Sequence, residues 1–408
     1  MQNWKRNASF FIGGQFISML GSMLVQHAIT WHITLQTKSS VVMTLFTCAA
    51  LLPMVIISPF AGVWADRYNR KKLIILSDGC IAVATLLLAI VYISGFKNIW
   101  LLLFVVMGRS FGQGIQQPAV SAMIPQLVPP ESLQRFNGIQ GTIQAVTMLA
   151  SPLLGGALLS FLPIEAIFFI DVITAAIGIS VVYIFVKVED IKKAIEDKSG
   201  VGAYFHELKE GLQYIGKTGW LKAMLLYGAF FSLFVSPAAF LTPLQTARTF
   251  GDDVWRLTAL ELSFSLGMLL GGVLISIWGG FKNKTRTVIC ALVLCGVIQM
   301  LLGIVPNFWV YLGIMALCGL VVPSFNTPSM TILQANVDPQ IMGRVMGVYM
   351  TLSSLAMPLG MAVFGPLGDI VKIEWLLIVS GFIIIAGGLS MLGAKDLMKI
   401  GQTQNAPQ

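Results

Sequence analysis

Long apolar runs broken by short polar segments fill the chain from end to end. Read from that pattern, spans fall at 9–35, 41–65, 73–94, 99–122, 136–160 and 166–186 in the first part of the chain. A second set falls at 221–246, 258–281, 287–305, 308–332, 345–368 and 375–393. Each has the roughly 18 or more residues that cross a bilayer as a helix. The one long polar connection, 187–220, divides the spans six and six. Within it Phe205, Leu208, Leu212 and Ile215 recur at helical spacing, with His206, Glu207, Lys209, Glu210 and Gln213 on the other face. That predicts an amphipathic helix lying on the surface of the bilayer or of the bundle. The expected organisation is an N-terminal bundle (1–186), a cytoplasmic linker (187–220), a C-terminal bundle (221–394) and a cytoplasmic tail (395–408).

Composition agrees with a membrane protein. Of the 408 residues 56% are hydrophobic and 11% charged, against about a quarter charged in soluble domains. The net charge of +8 matters less than its placement, and it does not indicate a nucleic-acid partner. If both termini are cytoplasmic, only Lys38, Lys97, Arg248, Arg256 and Lys372 of the 26 basic residues lie on the outer side, and Arg109 lies within a span. The rest lie inside, as the positive-inside rule requires. The five cysteines all fall in apolar runs and read as small packing residues, without a disulfide framework or a metal site. The N-terminal MQNWKR and its long apolar run read as a retained span, because no small-residue cleavage site follows.

GLQYIGKT, 211–218, fits the phosphate-loop pattern in Gly211, Gly216, Lys217 and Thr218. That pattern works only between a buried strand and a helix, where backbone N–H groups cradle phosphate. Here it follows a helical pattern and runs straight into a span, so it reads as a helix end, and ATP is not expected to bind.

The two halves also repeat each other. PPESLQRFNG answers DPQIMGRVMG, with Pro130, Arg135 and Gly138 recurring 209 residues later as Pro339, Arg344 and Gly347. ASPLLGG likewise answers AMPLGMA, Pro152 matching Pro358, and Gln117-Pro118 answers Thr327-Pro328. Parallel six-span repeats predict two bundles that rock about a central site, as in a carrier.

Between the second and third spans stands GVWADRYNRKK. It resembles the inner-loop signature of the major facilitator superfamily, with Gly62, Asp66, Arg67, Arg70 and Lys71 in place and Asn69 where the second glycine stands. Asn69 is expected to take a left-handed turn, and Gly62 to permit close helix approach. The resemblance implies a conformational latch of Gly62, Asp66, Arg67 and Arg70; Lys71 and Lys72 are read as topology charges. The second half has Ile275 where the aspartate would stand. MGRSFGQG resembles the family's R-x-x-Q-G element, with one extra residue between Arg109 and Gln113-Gly114. GIQGTIQAVTMLASPLLGG resembles the antiporter signature through Gly138, Pro152, Gly155 and Gly156, with Thr147 and Ser151 replacing two glycines; in the superfamily this marks exporters. Over the whole chain, from NWKR through SDGCIA, VPPESLQ and ELSFSLGMLLGG to GRVMGV and SLAMPLG, the pattern most resembles the macrolide-efflux exporters, a drug–proton antiporter branch.

The expected fold is therefore an all-α membrane protein of twelve transmembrane helices in two six-helix bundles, with both termini cytoplasmic. A charge inside the bilayer is costly and usually functional, which singles out Arg109, Asp78, Asp171 and Glu261. Proton coupling is assigned first to Glu261 and second to Asp171, with Arg109, Gln113 and His27 as coupling or cavity groups. An interfacial cap or packing pair is the other reading of Asp78, Asp171 and Glu261, and Asp78 is expected to stay ionised beside the inner basic loop. His27 and His32, five residues apart, read as polar cavity lining. The leading function is a secondary exporter of a hydrophobic, often cationic drug by proton antiport, acting as a monomer in the cell membrane without a cofactor. The alternatives are an exporter of a siderophore or peptide, or a transporter-like subunit that moves nothing. An enzyme finds no support, since no nucleophile–base pair and no metalloprotease motif occur.

Overall fold

A computed structural model describes residues 4–187 and 201–402, with the side chains of Asp66, Gln134, Val201, Ala203, Tyr204 and Phe205 outside that description. The first half forms α1 (Trp4–Thr37), α2 (Ser40–Arg67), α3 (Arg70–Ile93), α4 (Ile99–Leu127), α5 (Leu133–Phe161) and α6 (Ile164–Phe185). The second half begins with α7 (Val201–Lys217), α8 (Gly219–Phe240), α9 (Thr242–Thr249), α10 (Val254–Trp278) and α11 (Lys284–Ile304). It ends with α12 (Phe308–Asn336), α13 (Met342–Ile370), α14 (Ile373–Ser390) and α15 (Lys395–Ile400). Among the described residues, 12 segments are long and apolar enough to span a membrane: α1 to α6, α8 joined to α9, and α10 to α14. The other long helix is α7, the amphipathic element expected in the linker.

Asparagines set several helix starts. Asn98 and Asn307 precede α4 and α12, and each side chain accepts from the first turn, from Trp100 N in one and from Trp309 N and Val310 N in the other. Asn69 does the same for α3, accepting from Lys72 N. Its φ of −64° is extended, so the expected left-handed turn is absent. The residue in the glycine's place serves as an N-cap, where an amide oxygen satisfies an otherwise orphaned N–H.

The chain divides into two units, Met1–Ile33 with Leu45–Tyr204, and Thr34–Thr44 with Phe205–Gln408. In the first, α3 packs on α4 and α6, over a core that includes Phe11, Ile74, Met123 and Val186. Helices α1 and α6 meet where a Cβ on Gly178 would lie 2.7 Å from the Gly14 carbonyl oxygen. In the second unit the equivalent pattern returns, α11 packing on α12 and α14 around Leu221, Leu302, Tyr311 and Leu377. There Gly296 and Gly381 face each other, and a Cβ on either would stand 2.6 Å from the other's carbonyl oxygen. Interior prolines occupy corresponding places, Pro152 in α5 and Pro358 in α13.

The turn between α1 and α2 belongs to the second unit through Asp369 at the end of α13. Its carboxylate accepts from the Ser39 hydroxyl at 2.6 Å, the Ser40 N–H at 2.8 Å and the Val41 N–H at 3.1 Å. Arg248 pairs with the same carboxylate at 2.6 Å and donates through Nε to the Lys38 carbonyl at 3.0 Å. Lys38 itself pairs with Asp252 at 2.9 Å, which holds that carboxyl below its usual range. Asp369 thus caps α2 from a site 330 residues away in sequence. Asp369→Ala is expected to lower stability by about 0.5–2 kcal/mol, the value of a lost N-cap. Thermal unfolding in detergent measures this, and an unmoved midpoint would remove the network from the account.

The phosphate-loop look-alike is plain helix. The backbone from Val201 to Lys217 is continuous α-helix, so its interior N–H groups are spent on helical bonds. A Cβ on Gly211 would lie 2.7 Å from the Arg344 carbonyl oxygen, and Glu210 pairs with Arg344 at 3.0 Å. The glycine is there to let α7 lie against α13.

Candidate functional site

Arg109 on α4 and Asp171 on α6 come together as a buried ion pair, 1% and 0% exposed. The Arg109 Nη1 that meets Asp171 also donates to the Thr85 hydroxyl on α3. Its Nη2 donates to the Ser22 carbonyl on α1 at 3.3 Å. The Ser22 and Thr85 hydroxyls each donate to Asp171 at 3.1 Å. Four helices are tied by one guanidinium and one carboxylate. Only one guanidinium nitrogen faces the carboxylate, so a two-pronged Arg–carboxylate contact is absent, and Arg109 Nε is buried without a hydrogen-bond partner. Of the two alternatives for Asp171 near its span end, an interfacial cap or a packing pair, the structure shows the packing pair, at the centre of this network.

Beside the pair lies a cavity of about 390 Å³ inside the first unit, bordered by α1, α4 and α5. Ser22 reaches both the cavity and Asp171. Six glutamines line it, Gln15, Gln113, Gln116, Gln117, Gln140 and Gln144, and no lining residue is charged. Phe11, Phe16, Met19 and Phe136 supply apolar wall. Of the glutamines the sequence singled out Gln113. Spacings of three and four on α4 (113, 116, 117) and of four on α5 (140, 144) carry the rest, because they put these amides on one face of each helix.

Elsewhere the expected residues fare differently. His27 is not among the cavity-lining residues; its ring packs edge-on to Trp31, with Nδ1 donating to the Met23 carbonyl at 2.9 Å. Glu261 stands half-buried on α10, in the second unit. Asp78 has no cation as partner among the described residues; it accepts from Gln116 Nε2 at 2.5 Å. In the basic loop, Arg70 and Lys71 reach backbone carbonyls. Arg70 donates through Nε to the Ala65 carbonyl at 2.8 Å and through Nη1 to the Ala122 carbonyl at 2.7 Å. Lys71 closes the end of α6 through the carbonyls of Tyr183 at 2.9 Å and Val186 at 2.7 Å, so it does more than set topology. Arg67 is exposed, and the Asp66 side chain lies outside the described residues. Gly62 and Gly138 have open space where a Cβ would stand, so neither serves close helix packing here. Gly155 is in ordinary contact with Leu24 and His27, and Ser151, Pro152 and Gly156 beside it are buried.

Twelve spanning helices, two units with a shared packing pattern and a buried charge pair beside a cavity define a carrier architecture. The Major Facilitator Superfamily model matches residues 11–361, and the chain belongs to that superfamily. It is a secondary transporter of small molecules, not an enzyme, and resides in the cell membrane. It is 28% identical over 385 residues to macrolide efflux protein A of Streptococcus pyogenes, covering 94% of each chain. To the macrolide efflux protein A of Enterococcus faecalis it is 29% identical, covering 76% of this chain and 96% of that one. A solved bacterial homologue of the iron transporter ferroportin, in an inward-facing state, shares the fold at a TM-score of 0.71 and 16% identity, over 95% of this chain and 98% of that one.

Proposed function

We propose that the chain exports a macrolide-like antibiotic in exchange for protons, by alternating access, with both termini in the cytoplasm. The observation that carries the cargo class is the uncharged cavity of six glutamines and apolar wall. Amides offer donors and acceptors together, which suits a large amphiphile rich in hydroxyl and carbonyl oxygens, as a macrolide is. The likeness to macrolide efflux proteins over nearly the whole chain supports the same class.

The drive is adequate. A proton moving down 100 mV gains about 2.3 kcal/mol, and one pH unit adds about 1.4 kcal/mol. For a cargo exported with its amine unprotonated the whole of that gain is available, enough for a gradient of several hundred-fold; exported as a cation it keeps only the pH part, about tenfold. The four ion pairs Lys38–Asp252, Lys97–Glu165, Arg248–Asp369 and Arg256–Asp253 neutralise four of the five basic residues assigned to the outer side. Orientation is set by the inner excess of lysine and arginine, counted apart from their acidic partners. A reporter active only outside the cytoplasm, fused after Gln408, is expected to be silent, and strong activity would reverse the assignment.

The cargo is tested by expressing the chain in a pump-deficient bacterium and comparing inhibitory concentrations across a drug panel. Macrolides are expected to show the rise. Gln140→Leu is expected to reduce macrolide affinity about fivefold, the worth of one net hydrogen bond near 1 kcal/mol. Unchanged affinity would take Gln140 out of the binding wall.

A further inference from the structure

We propose that Asp78 binds the exchanged proton and that Gln116 passes its charge state to the cavity. This rests on the proton-driven export reading and names the group that performs the coupling. Asp78 is 4% exposed on α3. Its carboxylate accepts from Gln116 Nε2 at 2.5 Å, and the same nitrogen reaches Gln15 Oε1 at 3.4 Å. Gln116 and Gln15 line the cavity, whereas Asp78 does not. The carboxylate is therefore one amide removed from the place where cargo is proposed to sit.

The surrounding charges are committed elsewhere. On α4 the charged group is Arg109, held by Asp171 and Thr85. On α6 stand Asp171, in that pair, Glu165, paired with Lys97 at 2.6 Å, and Tyr183. On α3 itself, Arg70 and Lys71 donate to backbone carbonyls, Lys72 and Cys80 are exposed, and Tyr92 donates to the Asn98 carbonyl at 3.4 Å. On α1, reached through Gln15, stand Lys5, Arg6, His27 and His32. A buried carboxylate whose partner is a neutral amide receives little compensation for lost hydration, and a proton relieves that cost. Asp171 differs, because its carboxylate has an arginine and two hydroxyls as partners.

Gln116 makes the proton legible to cargo. While Asp78 is charged, it accepts from the amide –NH2, which also reaches Gln15 Oε1. Once an Asp78 oxygen carries the proton, it becomes a donor and the amide presents Oε1 to it, which turns –NH2 towards the cavity. Charge on Asp78 thus decides whether the wall offers cargo a donor or an acceptor at this position. Only the O–H bond of the carboxyl is made and broken, the proton arriving from and leaving to water.

The test is pH-difference infrared spectroscopy on the purified full-length protein in lipid. A protonated-carboxyl C=O band is expected, lost in Asp78→Asn and kept in Glu261→Gln. Gln116→Leu keeps the carboxyl but removes its hydrogen-bond partner, so the band is expected to move in frequency. A band indifferent to Asp78→Asn, or unmoved by Gln116→Leu, overturns the proposal. Vesicles loaded with erythromycin separate the two readings. If an imposed pH gradient stimulates export by Asp78→Asn as strongly as by the unaltered protein, the proton site is wrong and export stands. If the unaltered protein moves no erythromycin while the band behaves as expected, the site stands and the cargo assignment falls.

Discussion

Asp171→Ala is expected to destabilise the protein by about 3–5 kcal/mol, the cost of leaving one member of a buried ion pair without its counter-charge. Arg109 would keep the Thr85 hydroxyl and the Ser22 carbonyl, but these are dipoles, and its Nε already lacks a partner. Removing both charges is a different matter. Arg109→Met combined with Asp171→Leu leaves no buried charge, and most of the stability is expected to return. Thermal unfolding of the purified variants decides it, and a single variant as stable as the unaltered protein would contradict this reading of the four-helix tie. Arg109→Lys is expected to fall between, since an ammonium is a point charge that lacks the fork reaching both Asp171 and Ser22.

Arg70→Ala carries the second large effect. It removes two donors to backbone carbonyls, at Ala65 on α2 and Ala122 on α4. Each hydrogen bond from a charged donor contributes about 1.5–3 kcal/mol. Losing one such bond from a single conformational state shifts its population by about tenfold to a hundredfold. If the 62–72 loop is the latch that its motif implies, transport falls by a comparable factor while membrane abundance stays near normal. Vesicle transport normalised to protein amount measures this, and normal transport would leave Arg70 as a structural tie alone.

The spans were legible because a membrane helix must satisfy its backbone internally and be apolar along its length. The α7 helix was legible from its spacing, and Arg109 from the cost of placing a guanidinium in a span. Its partner was not legible, since Asp171 is 62 residues away in the chain and helix packing alone brings them together. The link from Asp369 to the α1–α2 turn is hidden for the same reason. Proximity along the sequence sets Arg70 and Lys71 about two turns from Asp78, yet they turn to carbonyls of other helices, so the basic loop supplies no partner there. The cavity was half legible: the glutamine spacings were present, but only the packing of α1, α4 and α5 shows that they share one wall.

The proposed activity is proton-driven export of a macrolide. Inside-out membrane vesicles containing the protein, energised by an imposed pH gradient and supplied with radiolabelled erythromycin, test it most directly. Accumulation is expected to rise with the gradient, to collapse when a protonophore dissipates it, and to proceed without ATP. Erythromycin that fails to accumulate under the gradient, in vesicles that do accumulate a siderophore or a peptide, would contradict it.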